Sequence, residues 1–119
     1  MVSSVDILGT EYRIEVRRIS EDLELSRYSR AGYCDRTTKM IVIADLSEEG
    51  TTDIPVEGRT SYGKEILRHE LIHAYLNESG LSENSIVAEC GWASNEEMVD
   101  WLAIQFPKLV KTFAECECI

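Results

Sequence analysis

Basic residues are scarce in this sequence. Lysine and arginine together number 12 against 22 aspartates and glutamates, so the 119 residues carry a formal net charge of −10. Affinity for nucleic acid depends on clustered positive side chains that neutralise phosphates. We therefore expect no direct binding of DNA or RNA. A partner with a basic surface is compatible with this charge, although an acidic surface more often serves solubility.

Long apolar runs and a cysteine framework are missing as well. No stretch is long enough to span a bilayer, and the N-terminus lacks the basic-then-apolar layout of a signal peptide. The four cysteines, at positions 34, 90, 116 and 118, form no C-x-x-C pair. We expect free thiols, no membrane association and a cytoplasmic location. Cys116 and Cys118 are predicted to lie in a frayed tail.

Prolines are limited to two, so little interrupts regular structure. Residues 12–18 alternate apolar and charged side chains, which predicts a half-buried strand. Residues 32–44 resemble a hairpin whose second arm, residues 40–44, is rich in β-branched side chains. Residues 45–59 are polar and predict a loop, whereas residues 64–76 and 94–106 show helical periodicity. Thr60 and Ser61 are predicted to cap the start of the first helix, and Gly80 to stop it. Pro107 either bends the second helix or begins a separate short one. The prediction is a single α+β domain over residues 1–119, with a small twisted sheet packed on two central helices.

Both histidines of the chain lie in one motif. His69, Glu70 and His73 form the pattern H-E-x-x-H inside the first predicted long helix. Side chains four residues apart share one helix face, so the two imidazoles can bind one metal ion. The intervening glutamate is then placed to take a proton from a metal-bound water. We predict a zinc site with His69 and His73 as ligands and Glu70 as general base.

A catalytic zinc usually takes a third protein ligand, and no third histidine exists. The candidates are Glu96 and Glu97 at the start of the second helix, with the thiolate of Cys90 ranked below them. Ser94 and Glu97 fit a capping box, which would occupy Glu97 and leave Glu96 free to bind zinc. We predict Glu96 as the ligand. Asp100, one turn later, is predicted to accept a hydrogen bond from a ligating histidine.

These residues carry a resemblance to a known family. H-E-L-I-H at residues 69–73, followed by N-E-x-x-x-D at residues 95–100, resembles the gluzincin pattern of thermolysin-type enzymes. Over residues 30–107 the chain is most similar to the small ImmA/IrrE-type metallopeptidases. Its segment E-M-V-D-W-L-A at residues 97–103 departs from that family's usual Glu-Ala-Asn/Asp followed by Phe-Ala. The resemblance implies a zincin-like fold, a phage or mobile-element association, and cleavage of a regulatory protein.

The expected function is zinc-dependent hydrolysis of a peptide bond in a protein or peptide substrate. The strand at residues 40–44 is expected to pair with an extended substrate. Tyr33, Tyr62 and Tyr75 are candidates for stabilising the oxyanion. The alternative is a catalytically silent, zinc-stabilised regulatory or binding module that keeps the site without turning over substrate.

Overall fold

The computed structural model describes residues 2–48, 50, 52–85 and 91–119. In chain order, the elements are β1 (Ser4–Ile7), β2 (Thr10–Arg17), α1 (Leu23–Arg27), β3 (Gly32–Asp35), β4 (Met40–Ala44), α2 (Arg59–Glu78), α3 (Leu81–Ser85) and α4 (Glu96–Glu115). The predicted α+β class is confirmed, and the two predicted long helices are α2 and α4. Across the described ranges, no helix is long and apolar enough to cross a membrane.

The four strands form one mixed sheet in the order β1-β2-β4-β3. β1 pairs antiparallel with β2 and β3 with β4, whereas β2 and β4 run parallel. The predicted strand at residues 12–18 and the predicted hairpin at residues 32–44 are both confirmed. β4 is hydrogen-bonded to a strand on each side, so the expectation that it pairs with a substrate is wrong. The edge strand on this side of the sheet is β3.

Both faces of β4 are covered, as its β-branched run predicted. Ile41 and Ile43 belong to the core between the sheet and α2, whereas Val42 and Ala44 pack on the opposite face with Leu25 of α1. The first core also contains Ile7, Tyr12, Ile14, Ile66 and Ala74. Since side chains alternate along a strand, a continuous apolar run buries residues on both faces of the sheet.

Helix α2 presents two neighbouring faces to two different partners. Ile66, Glu70 and Ala74, spaced four apart, are buried on the side that packs against the sheet. His69 and His73 lie one position before Glu70 and Ala74, and both contact residues of α4. This geometry places Glu70 between the sheet and the histidines.

The sequence predicts one end of α2 correctly and the other incorrectly. Thr60 and Ser61 were predicted to cap its start, but the helix begins at Arg59 after Gly58, with no side-chain cap. The cause is a 3-10 turn at Val56–Gly58 that runs directly into the helix and leaves no extended residue to serve as a cap. The predicted stop is confirmed, since Gly80 has a φ of +83°.

Helix α4 continues through Pro107, a point that the sequence left open. A proline inside a helix has no N–H for the carbonyl four residues earlier, here that of Ala103. Arg68 of α2 donates to that same carbonyl oxygen through Nε, at 2.6 Å. The bond between the two helices therefore satisfies the acceptor that Pro107 leaves free. It also ties α2 to α4 one position from His69.

Gly32, the first residue of β3, lies where a side chain would not fit. A Cβ there would come within 2.8 Å of Ile66 Cγ2, 2.9 Å of the Val42 carbonyl oxygen and 3.3 Å of Glu70 Cγ. The first two distances are shorter than real Cβ contacts, and one of the atoms is backbone. The missing side chain therefore lets the edge strand lie directly against α2 at Glu70.

Replacing Gly32 with alanine is expected to destabilise the fold by roughly 1–3 kcal/mol, because the added methyl group must displace α2 from the sheet. The matched control is Gly63→Ala, where the nearest atom is Leu46 Cδ1 at 4.0 Å. Gly63 lies inside α2, so the control should gain about 0.5–1 kcal/mol. Urea unfolding of both variants measures the difference. If Gly32→Ala and Gly63→Ala are equally stable, the close approach of β3 to α2 is contradicted.

Candidate metal centre

Among the described residues, three side chains of α2 form a group that could hold a metal ion. One ligand atom from each of His69, Glu70 and His73 lies within 4.8 Å of the others. The histidines are half-buried and Glu70 is buried. The H-E-x-x-H spacing thus produces the convergence expected of one helix, because residues one and four apart lie within a single turn.

Helix α4 brings its first residue to this group. Asn95 has an extended backbone and caps the helix, its Oδ1 accepting from the N–H of Met98 at 2.9 Å. The predicted capping box of Ser94 and Glu97 is therefore wrong. Ser94 ends a 3-10 turn that begins at Trp92, so the cap moves one residue along the chain. Glu97 is exposed, and Glu96 becomes the first helical residue.

The Glu96 carboxylate lies between the two imidazoles. Its Oε2 is 3.1 Å from His69 Nε2, and its Oε1 is 3.1 Å from His73 Nε2. The two Nε2 atoms are 3.0 Å apart. Ligand atoms held tetrahedrally at the usual zinc distances of about 2.0–2.1 Å are roughly 3.3 Å apart. The spacing of these donor atoms therefore fits a small divalent cation of that geometry.

A hydrogen bond behind His69 leaves its Nε2 free for a metal. Asp100 Oδ1 is 2.7 Å from His69 Nδ1, which as the protonated nitrogen donates to the carboxylate. In this tautomer His69 presents a lone pair on Nε2 toward His73 and Glu96. His69 Nε2 and the Glu96 carboxylate are then both acceptors, and a bound cation would remove the repulsion between them. Burial lowers the pKa of His73, which favours the neutral, ligating form.

Glu70 is buried between this group and the edge of the sheet. Its exposed fraction is 6%, and Gly32 lies against its side chain. Burial, the main cause, raises the pKa of Glu70 to about 7, while His69 lowers it and the carboxylate of Glu96 raises it. A carboxyl group with a pKa near neutrality is suited to accept a proton and to return it.

The raised pKa of Glu70 predicts a pH-dependent stability for the metal-free protein. Between pH 4.5 and about 7, the folded protein retains a proton that the unfolded chain has released. Stability therefore falls as pH rises through this window, by on the order of 3 kcal/mol. Glu70→Gln should remove this loss and be markedly more stable than the wild type at pH 8, but not at pH 4.5.

Urea unfolding in the presence of chelator, at both pH values, measures this effect. Glu97→Gln controls for the loss of one negative charge, since Glu97 is exposed. The quantity to compare is the difference in stability between the wild type and Glu70→Gln. If this difference is the same at pH 4.5 and pH 8, the burial of an ionisable Glu70 is contradicted.

A cleft of about 910 Å³ opens over the candidate metal centre. Its walls include β3, the face of α2 that carries the histidines, and the start of α4. Of the three tyrosines considered from sequence, Tyr62 lines the cleft. Tyr33 also borders it, but its hydroxyl donates to Asp22 Oδ2 at 2.8 Å. Tyr75 is 47% exposed and lies outside the cleft lining.

The sequence did not reveal how β3 contributes to the cleft. Gly32 was seen only as the start of a hairpin, yet its missing side chain decides how closely the strand approaches Glu70. Cys34 lies in the same wall, where burial raises the pKa of its thiol to about 12. A glycine at the first position of a strand was the available signal. The alternative ligand Cys90 lies outside the described residues, whereas Cys116 and Cys118 are exposed.

Comparisons with known proteins found no match for this chain: no protein-family model, no curated protein and no solved structure matches it. The resemblance to the small metallopeptidases therefore depends on the motif residues themselves.

Proposed function

We propose that the protein is a zinc-dependent peptidase. The observation that carries the proposal is the convergence of His69 Nε2, His73 Nε2 and the Glu96 carboxylate at 3.0–3.1 Å, with Asp100 behind His69. Two imidazoles and one carboxylate are a ligand set typical of catalytic zinc, which leaves a fourth position for water. Glu97, the alternative ligand, forms no ion pair with either histidine among the described residues.

The chemistry divides between the metal and Glu70. Bound zinc would lower the pKa of a water molecule and polarise the scissile carbonyl group. Glu70 takes the proton from the attacking water and delivers it to the amine that leaves. Its burial favours this role, because a pKa near 7 lets the carboxyl group act in both directions at neutral pH. Asp100 keeps His69 in the tautomer that binds metal through Nε2.

The free edge of β3 is suited to hold an extended substrate. The N–H of Ala44 donates to the carbonyl oxygen of Ala31 at 2.8 Å, so alternate residues of β3 bond to β4. Gly32 and Cys34 fall between those positions and direct their N–H and C=O groups away from β4. Both residues line the cleft. A peptide could pair with them as an additional strand beside Glu70, and this edge replaces the strand at 40–44 in the mechanism.

Tyr62 is the tyrosine best placed to contact the oxyanion, since it lines the cleft and its hydroxyl has no hydrogen-bond partner among the described residues. A cytoplasmic location, a phage or mobile-element origin and a regulatory protein as substrate stay predictions from the sequence and its resemblance.

The test is cleavage of a mixed peptide library by the zinc-loaded protein, followed by mass spectrometry. We expect new termini that disappear with chelator and return when one equivalent of zinc is restored. A protein that retains one zinc per chain but cleaves neither the library nor an unfolded protein would favour the alternative, a zinc-stabilised module without turnover.

A further inference from the structure

Some of the charged side chains that line the cleft form ion pairs or hydrogen bonds within the protein, and others do not. Glu24 and Arg30 form an ion pair at 3.8 Å, Arg36 pairs with Glu83 of α3, and Asp35 accepts hydrogen bonds from Thr37. Glu96 and Asp100 contact the histidines, and Glu70 is the proposed base. Glu65 is the remaining charged residue of the lining.

Glu65 lies half-buried in the cleft wall without a cation. Within the described ranges, no lysine, arginine or histidine nitrogen comes within ion-pair distance of its carboxylate. Arg30, which also lines the cleft, pairs with Glu24 and stacks over the Tyr28 ring at 5.1 Å. A partly desolvated carboxylate gains most from a cation that arrives with a ligand.

The position of Glu65 relates it to the metal centre. It precedes His69 by four residues on α2, so the two side chains lie on one face, about 6 Å apart along the helix axis. Tyr62 lies three residues before Glu65 on α2 and also lines the cleft, so the two side chains are neighbours on the helix surface. A carboxylate beside an aromatic ring is a favourable environment for a guanidinium or ammonium group.

We propose that Glu65 binds the cationic side chain of a substrate residue next to the scissile bond, so that the peptidase acts on segments containing arginine or lysine. This inference rests on the proposed function, because the metal centre defines where the scissile bond lies. The net charge of −10 also favours basic substrates, because it attracts a basic segment before that segment enters the cleft.

Hydroxamates test the inference without requiring turnover. One pair carries arginine or its neutral isostere citrulline on the N-terminal side of the zinc-binding group, and a second pair carries them on the C-terminal side. Calorimetry with zinc-loaded protein is expected to show about a tenfold preference for arginine over citrulline in one of the two pairs. The preference should shrink at high salt, because the contact is between charges.

The Glu65→Gln variant should lose this preference, so that its affinity for the arginine compound falls to that of the citrulline compound. The matched control is Glu97→Gln, which removes a carboxylate that does not line the cleft and should keep the preference. Equal binding of arginine and citrulline compounds to the wild type, in both pairs, would overturn the role of Glu65 and leave the peptidase proposal standing.

Other outcomes separate the two proposals. A Glu65→Gln variant that weakens both compounds of a pair equally would make Glu65 a structural residue of α2 and overturn the inference. A wild-type protein that holds no zinc, by elemental analysis, would overturn the proposed function and the inference together. So would a zinc-loaded protein that binds no hydroxamate, since its metal would then have no position open to a ligand.

Discussion

Replacement of Glu70 by glutamine is expected to reduce peptide hydrolysis by a factor of about 10²–10⁴ while zinc stays bound. Glutamine has nearly the shape of glutamate but cannot accept the proton of the attacking water, and general acid–base catalysis contributes a factor of this size. The proposed ligands His69, His73 and Glu96 are unaffected by the change. Glutamine also carries no charge, so the buried site between α2 and the sheet accepts it readily.

The measurement is kcat/KM for one cleaved peptide from the library, together with the zinc content of each preparation. Glu97→Gln is the control, because it removes one carboxylate from the exposed surface of α4 near the site. Full activity in Glu70→Gln with zinc retained would remove Glu70 from the mechanism. Loss of zinc in that variant would instead make Glu70 a ligand, consistent with its presence in the metal-binding group of α2.

Replacement of Glu96 is expected to weaken zinc binding by more than about 100-fold, whereas the same change at Glu97 should have little effect. Glu96 has an oxygen 3.1 Å from each histidine, whereas Glu97 forms no ion pair with either histidine among the described residues. Asp100→Asn should fall between them, at roughly 10- to 100-fold, as is typical of residues that orient a metal-bound histidine.

Zinc titration by calorimetry at one pH compares Glu96→Gln, Glu97→Gln and Asp100→Asn. Zinc at 100 times its dissociation constant adds about 2.7 kcal/mol to stability, so the thermal midpoint of the wild type should rise by roughly 10 °C and return with chelator. If Glu97→Gln abolishes binding and Glu96→Gln retains it, the ligand is the neighbouring glutamate. A midpoint unchanged by zinc in the wild type would contradict a metal centre.

The local features of this protein were determined by its sequence. The alternation in residues 12–18, the β-branched run ending at Ala44 and the helical spacing of His69 and His73 each predict an element from neighbouring residues alone. These patterns are reliable because they reflect the periods of strand and helix, which do not depend on the rest of the fold. Gly80 ended α2 for the same kind of reason, since it adopts a φ open mainly to glycine.

The boundaries of the helices were harder to predict from the sequence. Ser94 and Asn95 are both good caps, and the choice between them depended on a 3-10 turn that precedes α4. The capping-box argument that selected Glu96 was therefore wrong, although Glu96 is the glutamate that lies against both histidines. Single-residue shifts of this kind arise because several residues can satisfy the same free N–H groups at similar free energies.

Only the tertiary structure decided which parts of the chain surround the motif. The order β1-β2-β4-β3 places β3 at the edge and β4 in the interior, and Gly32 lets that edge approach Glu70. Arg68 joins α2 to α4 at the carbonyl that Pro107 leaves free, which carries Glu96 and Asp100 to the histidines. These contacts join residues about 25 to 40 positions apart. No local period encodes them, because they depend on how the sheet and both helices pack together.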